Sequence, residues 1–94
     1  MTVFEIVTYT VKNTQAAEIS RETAQSALAA YPGFIGWTRY ATAEDNRHFV
    51  DQVEWATLAD AKSAQIAFMS DPEMADFIAA IDTVLAMSHV KQLT

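Results

Sequence analysis

The fold is decided by residues 48–61, which read H-F-V-D-Q-V-E-W-A-T-L-A-D-A. The first eight of these residues are rich in β-branched and aromatic side chains, which favours a strand that ends at Trp55. Thr57 and Asp60 then have the spacing of a capping box, in which a hydroxyl and a carboxylate satisfy the first free amides of a helix. The stretch therefore predicts a strand followed at once by a helix that runs to Met69.

Upstream of this stretch, the sequence predicts two more strands with a helix between them. Residues 3–11 are β-branched or aromatic almost throughout, and residues 34–42 have the same character. Between them, small and apolar residues recur at helical spacing until the Pro-Gly pair at 32–33, which ends the helix. The polar residues 43–46 separate the second strand from the third, so we expect these two strands to form a hairpin.

Downstream, the sequence predicts a second helical segment and a last strand. Pro72 can open a helix because the first helical position needs no amide donor, and Glu73 suits the positive end of the helix dipole. Residues 84–93 alternate less regularly and are predicted to form the final strand. The resulting order is the ferredoxin-like β-α-β-β-α-β pattern of an α+β fold, with an antiparallel four-stranded sheet in one domain, residues 1–94.

Composition and charge exclude several classes of function. The chain has 94 residues, 51% of them hydrophobic, a net charge of −6 and no cysteine. Its few basic residues form no stripe, so nucleic acid and anionic membranes are not expected partners. No stretch approaches the roughly 20 apolar residues of a membrane span, and the N-terminus lacks a basic region before an apolar run, which predicts a cytoplasmic protein. No P-loop, serine-hydrolase motif or metal-ligand spacing is present, so no metal site is predicted.

Both faces of the predicted sheet carry apolar side chains. On the first strand, Val7 and Tyr9 point to one face while Phe4 and Ile6 point to the other. Right-handed crossovers place both helical layers on one face, so the chain itself leaves the opposite face uncovered. An identical sheet related by a two-fold axis would cover it, and we therefore predict a homodimer that packs through its sheet faces.

Five segments taken together resemble one known group of proteins, the antibiotic-biosynthesis-monooxygenase-like members of the dimeric α+β barrel superfamily. These segments are P-G-F-I-G-W at 32–37, D-Q-V-E-W at 51–55, T-L-A-D-A at 57–61, S-D-P-E at 70–73 and S-H-V at 88–90. The resemblance extends over essentially the whole chain. It implies a ferredoxin-like fold, a dimer, and a hydrophobic pocket between the sheet and the helices of each subunit.

The resemblance also points to particular positions. In the cofactor-independent oxygenases of that group, an Asn lies four residues before a Trp on the same face of a strand, and Asp51 and Trp55 occupy the matching positions. An ionised Asp cannot donate hydrogen bonds as an amide does, so the role of the Asn does not transfer directly. Haem-degrading relatives place a His on the helix after the Trp, whereas residues 57–69 contain no His, which disfavours haem degradation.

Asp51 and His89 are the candidate catalytic residues. Asp51 lies among apolar neighbours, where desolvation would raise its pKa and make it a general base near neutral pH. The alternative is a carboxylate that is hydrogen-bonded at the margin of the sheet. His89 would act as an acid or base if its ring faces the pocket, and would otherwise be structural. Glu54 alternates to the other face, where we expect it to pair with Arg39 or Lys91.

Trp37, Trp55 and Phe77 are the candidate substrate-binding residues. The two tryptophans would hold a flat ring by stacking, and Phe77 lies in a Met- and Phe-rich region that suits an apolar ligand. For all three, simple packing in the core is the alternative.

Two functions remain open from the sequence. The first is a small dimeric monooxygenase-like enzyme that acts on a planar phenolic or quinone-like molecule without a metal, flavin or other cofactor. The second is a non-catalytic module of the same fold that binds a small aromatic ligand or mediates assembly.

Overall fold

The computed structural model of the protein describes residues 2–94 and has the predicted order of elements. The strands are β1 (Val3–Val11), β2 (Phe34–Ala41), β3 (His48–Trp55) and β4 (Ile81–Val90). The helices are α1 (Thr14–Ala29), α2 (Leu58–Ser70) and α3 (Ala75–Ala80), with a 3₁₀ turn at Pro72–Met74 before α3. All strand pairs are antiparallel in the order β2-β3-β1-β4, which confirms the ferredoxin-like α+β fold.

Side-chain caps fix where the helical segments begin. The hydroxyl of Thr57 accepts a hydrogen bond of 3.0 Å from the amide of Asp60, as the capping-box spacing predicts. A carboxylate oxygen of Asp71 accepts one of 2.9 Å from the amide of Glu73, immediately around the Pro that opens the 3₁₀ turn. Gly33, in the connection between α1 and β2, adopts φ +82. Glycine adopts this conformation at little cost because it has no Cβ. The segment boundaries around β3 and α2 therefore follow from local chemistry.

The last strand differs from the prediction, because β4 begins at Ile81 and ends at Val90 rather than spanning residues 84–93. Ile81 pairs with Val11 of β1, and the ladder continues with a register shift along the edge of the sheet. Asp82 has low strand propensity and is exposed, and the register shift leaves it as an extra residue between the paired Ile81 and Thr83, so the strand tolerates it there. The strand is correctly predicted in existence and wrong in its limits.

The helices cover one face of the sheet. Tyr9, Trp55 and Met74 are the largest fully buried side chains and form the centre of this layer. Ala17 and Ala24 of α1 are each 1% exposed, so this alanine-rich helix lies close to the sheet. This layer contains the core, and the cavity described below lies within it.

The opposite face, called here the reverse face, remains open in the single chain. Phe4, Ile6 and Val50 are only partly buried on it. Tyr40 and Val90, which pair with two of them across the sheet, are 50% and 42% exposed. Among residues 2–94, no helix is long and apolar enough to cross a membrane. The homodimer that would cover the reverse face stays a prediction.

Candidate functional site

A cavity of about 290 Å³ lies between the sheet and the helices. Its wall is mostly apolar and is formed by all four strands below and by α1, α2 and α3 above. Four of the predicted site residues line it, namely Asp51, Trp37, Trp55 and Phe77. His89 lies outside the lining. Asp51, the candidate base, therefore lies in the same cavity as the three candidate binding residues. His89, the other candidate acid-base residue, does not.

Asp51 lies in the wall of this cavity near the middle of β3. It pairs with Val7 of β1 on one side and with Arg39 of β2 on the other. Its carboxylate is 6% exposed, and its Oδ2 accepts a hydrogen bond of 2.8 Å from the hydroxyl of Tyr9. Within residues 2–94, Asp51 Oδ1 has no hydrogen-bond partner, and Arg39 Nε is 3.9 Å away. One carboxylate oxygen is thus occupied, and the other is available to a ligand.

Burial raises the pKa of Asp51 to about 6. The Tyr9 hydroxyl, the Arg39 charge and the Trp37 indole act in the opposite direction and keep the pKa from rising further, while Glu5 adds to the increase. Burial also raises the pKa of Tyr9, and the neighbouring carboxylate reinforces that shift, so Tyr9 remains a neutral donor. Asp51 is therefore mostly ionised at pH 7 yet close enough to its pKa to accept and release a proton.

Trp37 lies beside this carboxylate. Its Nε1 is buried and makes no hydrogen bond of ordinary geometry within residues 2–94, although the indole lies near enough to lower the pKa of Asp51. An unpartnered buried donor next to an unpartnered carboxylate oxygen is unusual, because buried polar atoms are normally paired. The pair could hold the hydroxyl of a ligand, with the indole donating to it and the carboxylate accepting from it.

Arg39 is held by contacts on the helix side of the sheet. Its Nη2 lies 2.7 Å from an Oε1 of Glu18 on α1, and its guanidinium carbon lies 5.5 Å from the ring centre of Trp37. The expected pairing of Arg39 with Glu54 is therefore wrong. Arg39 faces Asp51 across the β2–β3 ladder, whereas Glu54 points to the reverse face.

Glu5 is a site residue that the sequence interpretation missed. It lines the cavity from β1, where it pairs with Val53 of β3 and with His89 of β4. Burial raises its pKa, while His89 and the Trp55 indole oppose the increase. The signal was present in the sequence, since residues two apart on a strand share a face and Glu5 therefore lies on the same face as Val7 and Tyr9.

His89 is separated from the cavity by this carboxylate. Its Nε2 lies 3.9 Å from Glu5 Oε2, beyond hydrogen-bond distance, and both side chains are 16% exposed. Within the described part of the chain, His89 Nε2 and Trp55 Nε1 are buried without hydrogen-bond partners. His89 can therefore influence a bound molecule only through Glu5.

Aromatic rings form part of the wall, and aliphatic side chains form much of the remainder. The rings of Trp37 and Phe77 meet edge to face at 5.8 Å, and those of Phe34 and Trp55 do the same at 5.8 Å. Towards solvent, Met69 of α2 is 69% exposed and Val84 of β4 is 55% exposed, and both line the cavity. The cavity thus has apolar and aromatic walls suited to a flat hydrophobic molecule, and it opens between α2 and the edge strand.

The structure of residues 2–94 contains no cluster of three or more His, Asp or Glu side chains placed to hold a metal ion. Asp51 and Glu5 lie on neighbouring strands, and the remaining polar groups of the wall are indole, amide and phenol groups.

Comparison with known proteins places the fold in one class: the chain has the fold of the antibiotic-biosynthesis-monooxygenase-like proteins. SnoaB from Streptomyces nogalater, a cofactor-independent oxygenase, is similar over 99% of this chain and 94% of its own, with a TM-score of 0.84 and 16% identity. A protein from Bordetella bronchiseptica that is provisionally assigned as an antibiotic biosynthesis monooxygenase is similar over 99% of this chain and 98% of its own, with a TM-score of 0.85 and 12% identity. No protein-family model and no curated protein sequence matches.

A third similar structure, from Chloroflexus aurantiacus, has the same provisional assignment; it covers 100% of this chain and 95% of its own, with a TM-score of 0.71 and 13% identity. The resemblance noted in the sequence is thus confirmed as a likeness of fold. At these identities the likeness concerns the backbone, so the chemistry of this chain has to be argued from its own side chains.

Proposed function

We propose that this protein is a small dimeric monooxygenase that oxidises a planar phenolic or quinone-like molecule with dioxygen, without a metal or a flavin. The observation that carries the proposal is Asp51, a buried carboxylate with a pKa of about 6 in the wall of an apolar cavity. The fold is shared with SnoaB, which is a cofactor-independent oxygenase, and this supports the same type of reaction.

Asp51 is the general base in this proposal. It accepts the phenolic proton of the bound molecule, and the resulting phenolate donates electrons to dioxygen so that a carbon–oxygen bond forms at a ring C–H position. One oxygen atom of dioxygen becomes a quinone carbonyl. The other leaves as water with the ring hydrogen and the phenolic hydrogen, and the four electrons that reduce dioxygen come from the substrate. Asp51 returns its proton to the departing oxygen and regains its starting state.

The indole groups have a different role. Trp37 and Trp55 each present a buried Nε1–H that lacks a partner within residues 2–94. A donor that is already in place stabilises negative charge as it develops on a substrate oxygen. With Phe77, the same rings flank the cavity and fix the plane of the substrate. The apolar wall limits access of bulk water to the reacting phenolate.

His89 is assigned a positioning role rather than a direct part in proton transfer. Its Nε2 faces Glu5 at 3.9 Å, and Glu5 rather than His89 lines the cavity. Replacement of His89 is therefore expected to change how Glu5 is held and to leave the proton transfer at Asp51 intact.

A binding protein without turnover is the second candidate. The observation in its favour is the hydrogen bond from Tyr9, which already occupies one oxygen of Asp51 and stabilises its charged form. In that case the carboxylate would only accept a hydrogen bond from a ligand hydroxyl.

Measuring oxygen uptake with an electron-rich polycyclic phenol, such as 1,5-dihydroxynaphthalene, distinguishes the monooxygenase from the binding protein. In the presence of a metal chelator, we expect the wild-type protein to consume one dioxygen per quinone formed, and Asp51→Asn to lose this activity. Asp82→Asn, at an exposed position of β4, is the matched control and keeps it. Thermal stabilisation by the phenol without oxygen uptake would identify the binding protein instead.

The proposed homodimer packs through the reverse face. Support comes from the half-buried Phe4 and Ile6 and from Val90, which is 42% exposed. Sedimentation velocity at micromolar concentration is expected to give a dimer for the wild type and a monomer for Val90→Asp. Ile66→Asp, at a position 76% exposed on α2, is the control and should remain dimeric. A wild-type monomer would contradict the dimer.

A further inference from the structure

Two carboxyl groups face the cavity from neighbouring strands. Val7 pairs with Asp51 and Glu5 pairs with Val53 in the antiparallel β1–β3 ladder, so Glu5 and Asp51 are diagonal neighbours on one face. Backbone positions in this relation are about 7–8 Å apart, and both side chains point towards the helices. The cavity therefore has two separate acidic positions along its floor.

Glu5 and Asp51 are the acidic residues of the cavity lining. Among the described residues, the lining of the cavity includes no Lys, Arg or His. Arg39, which lies next to Asp51, is held at 2.7 Å by Glu18 and does not line the cavity. An anionic group on a ligand would lie near two carboxyl groups with no cation among the described lining residues to balance it, so the field in the cavity disfavours it.

Both carboxyl groups have unused capacity to accept hydrogen bonds. Asp51 Oδ1 is buried without a partner within residues 2–94. Glu5 is opposed by His89 at 3.9 Å, which is too long for a hydrogen bond. The Glu5 side chain is 16% exposed, so its carboxyl group is accessible to a donor that a ligand brings.

We propose that Glu5 is a second ligand anchor, and that the cavity selects a flat aromatic molecule with a hydrogen-bond-donating group at each end, one directed to Asp51 and the other to Glu5. The inference rests on the proposed function only in that it concerns the same cavity. It names a specificity-determining residue and excludes ligands with a carboxylate at the Glu5 end.

The test is calorimetric titration without oxygen, so that binding is measured separately from turnover. Three matched probes are used at pH 7.5: 2,6-dihydroxynaphthalene, 2-naphthol and 6-hydroxy-2-naphthoate. We expect the diol to bind about tenfold more tightly than 2-naphthol, as one added hydrogen bond provides. We expect the naphthoate to bind more weakly than 2-naphthol.

Variants then locate the second anchor. Glu5→Leu removes both acceptor oxygens and should abolish the preference for the diol while leaving 2-naphthol affinity within about twofold. Glu5→Gln retains one neutral acceptor and should keep part of the preference, which also covers the case in which Glu5→Leu does not fold. Glu22→Leu, at an exposed position of α1, is the control and should bind as the wild type does.

The outcomes separate this inference from the proposed function. Equal affinity for the diol and 2-naphthol, tighter binding of the naphthoate, or no binding of any probe would overturn the second anchor, even if oxygen uptake is observed with another phenol. If the protein prefers the diol over 2-naphthol but consumes no oxygen with any phenol, Glu5 is still an anchor and the proposed monooxygenase function is wrong.

Discussion

Asp51 and Glu5 share one cavity but have unequal surroundings. Each is opposed by a basic residue on the flanking strand, Asp51 by Arg39 and Glu5 by His89, and both contacts are 3.9 Å. Asp51 also receives a hydrogen bond of 2.8 Å from Tyr9, whereas Glu5 has the imidazole as its only ion-pair contact within residues 2–94. A carboxylate with a fixed partner keeps a defined geometry for proton transfer, and one with a loose partner is free to accept a donor from a ligand.

The largest expected effect is the loss of the general base. Asp51→Asn preserves the shape of the side chain and cannot accept a proton, so kcat/KM should fall by about 10²–10⁴-fold. Glu5→Gln should act mainly through KM, by less than about tenfold because one acceptor is retained, since it alters binding rather than proton transfer. Steady-state oxygen uptake with 1,5-dihydroxynaphthalene measures both. Equal losses of kcat/KM in the two variants would contradict the separate roles of Asp51 as base and Glu5 as ligand anchor.

The second largest expected effect is a pH-dependent gain in folding stability in Asp51→Asn. The pKa of Asp51 is raised from 3.8 to about 6 in the folded protein, so ionisation of Asp51 costs folding free energy that grows as pH rises from about 4 to about 6. Relieving this cost in Asp51→Asn should stabilise the fold by about 2–3 kcal/mol above pH 6, at about 1.4 kcal/mol per unit of pKa, and should have little effect near pH 3.

Urea unfolding of Asp51→Asn and wild type at pH 3.5 and pH 7.5 measures this difference. Glu5→Gln should show a change of the same sign, since burial raises the pKa of Glu5 as well. A lower stability of Asp51→Asn at pH 7.5 would show that the ionised carboxylate stabilises the fold.

Tyr9→Phe sharpens the comparison by removing the fixed partner of Asp51. The Tyr9 hydroxyl lowers the pKa of Asp51, so its loss should move that pKa above about 6. The ascending limb of the pH profile of kcat/KM should move to higher pH by about one to two units, given a charge-assisted hydrogen bond of about 1.5–3 kcal/mol. An unchanged pH profile with reduced activity would mean that Tyr9 only packs in the core.

His89→Gln is expected to have the smallest effect. Since His89 reaches the cavity only through Glu5, kcat should stay within about twofold and the change should appear in KM, as for a group that acts on binding alone. His48→Gln, at the half-buried first position of β3 and outside the cavity lining, is the control. A loss of kcat comparable to that of Asp51→Asn would restore His89 as an acid-base residue.

The sequence predicted those parts of the fold and site that depend on local pattern. The alternation and cap around Trp55 located β3 and α2, and the position of Asp51 among apolar residues predicted a raised pKa, the direction that its burial favours. The limits of β4 were wrong because they depend on its pairing with β1, in which Asp82 lies inside the ladder region despite its low propensity.

The partners of the site residues could not be predicted in the same way. The register of β2 and β3 and the approach of α1 decide which side chains face Asp51. Together they place Arg39 beside Glu18 and away from Glu54. Alternation places Glu5 on one face of β1 with Val7 and Tyr9, but the packing of the helices decides that this is the covered face, and local sequence does not report that packing. The roles of the individual residues stay predictions until the variants are measured.

The most direct test of the account is a carbon-detected NMR titration of the side-chain carboxyl groups in the ligand-free protein. The account predicts one aspartate signal that titrates near pH 6, disappears in Asp51→Asn and moves to higher pH in Tyr9→Phe. An Asp51 signal that titrates at its usual value of about 3.9 would contradict the central claim that the cavity holds a base poised near neutral pH.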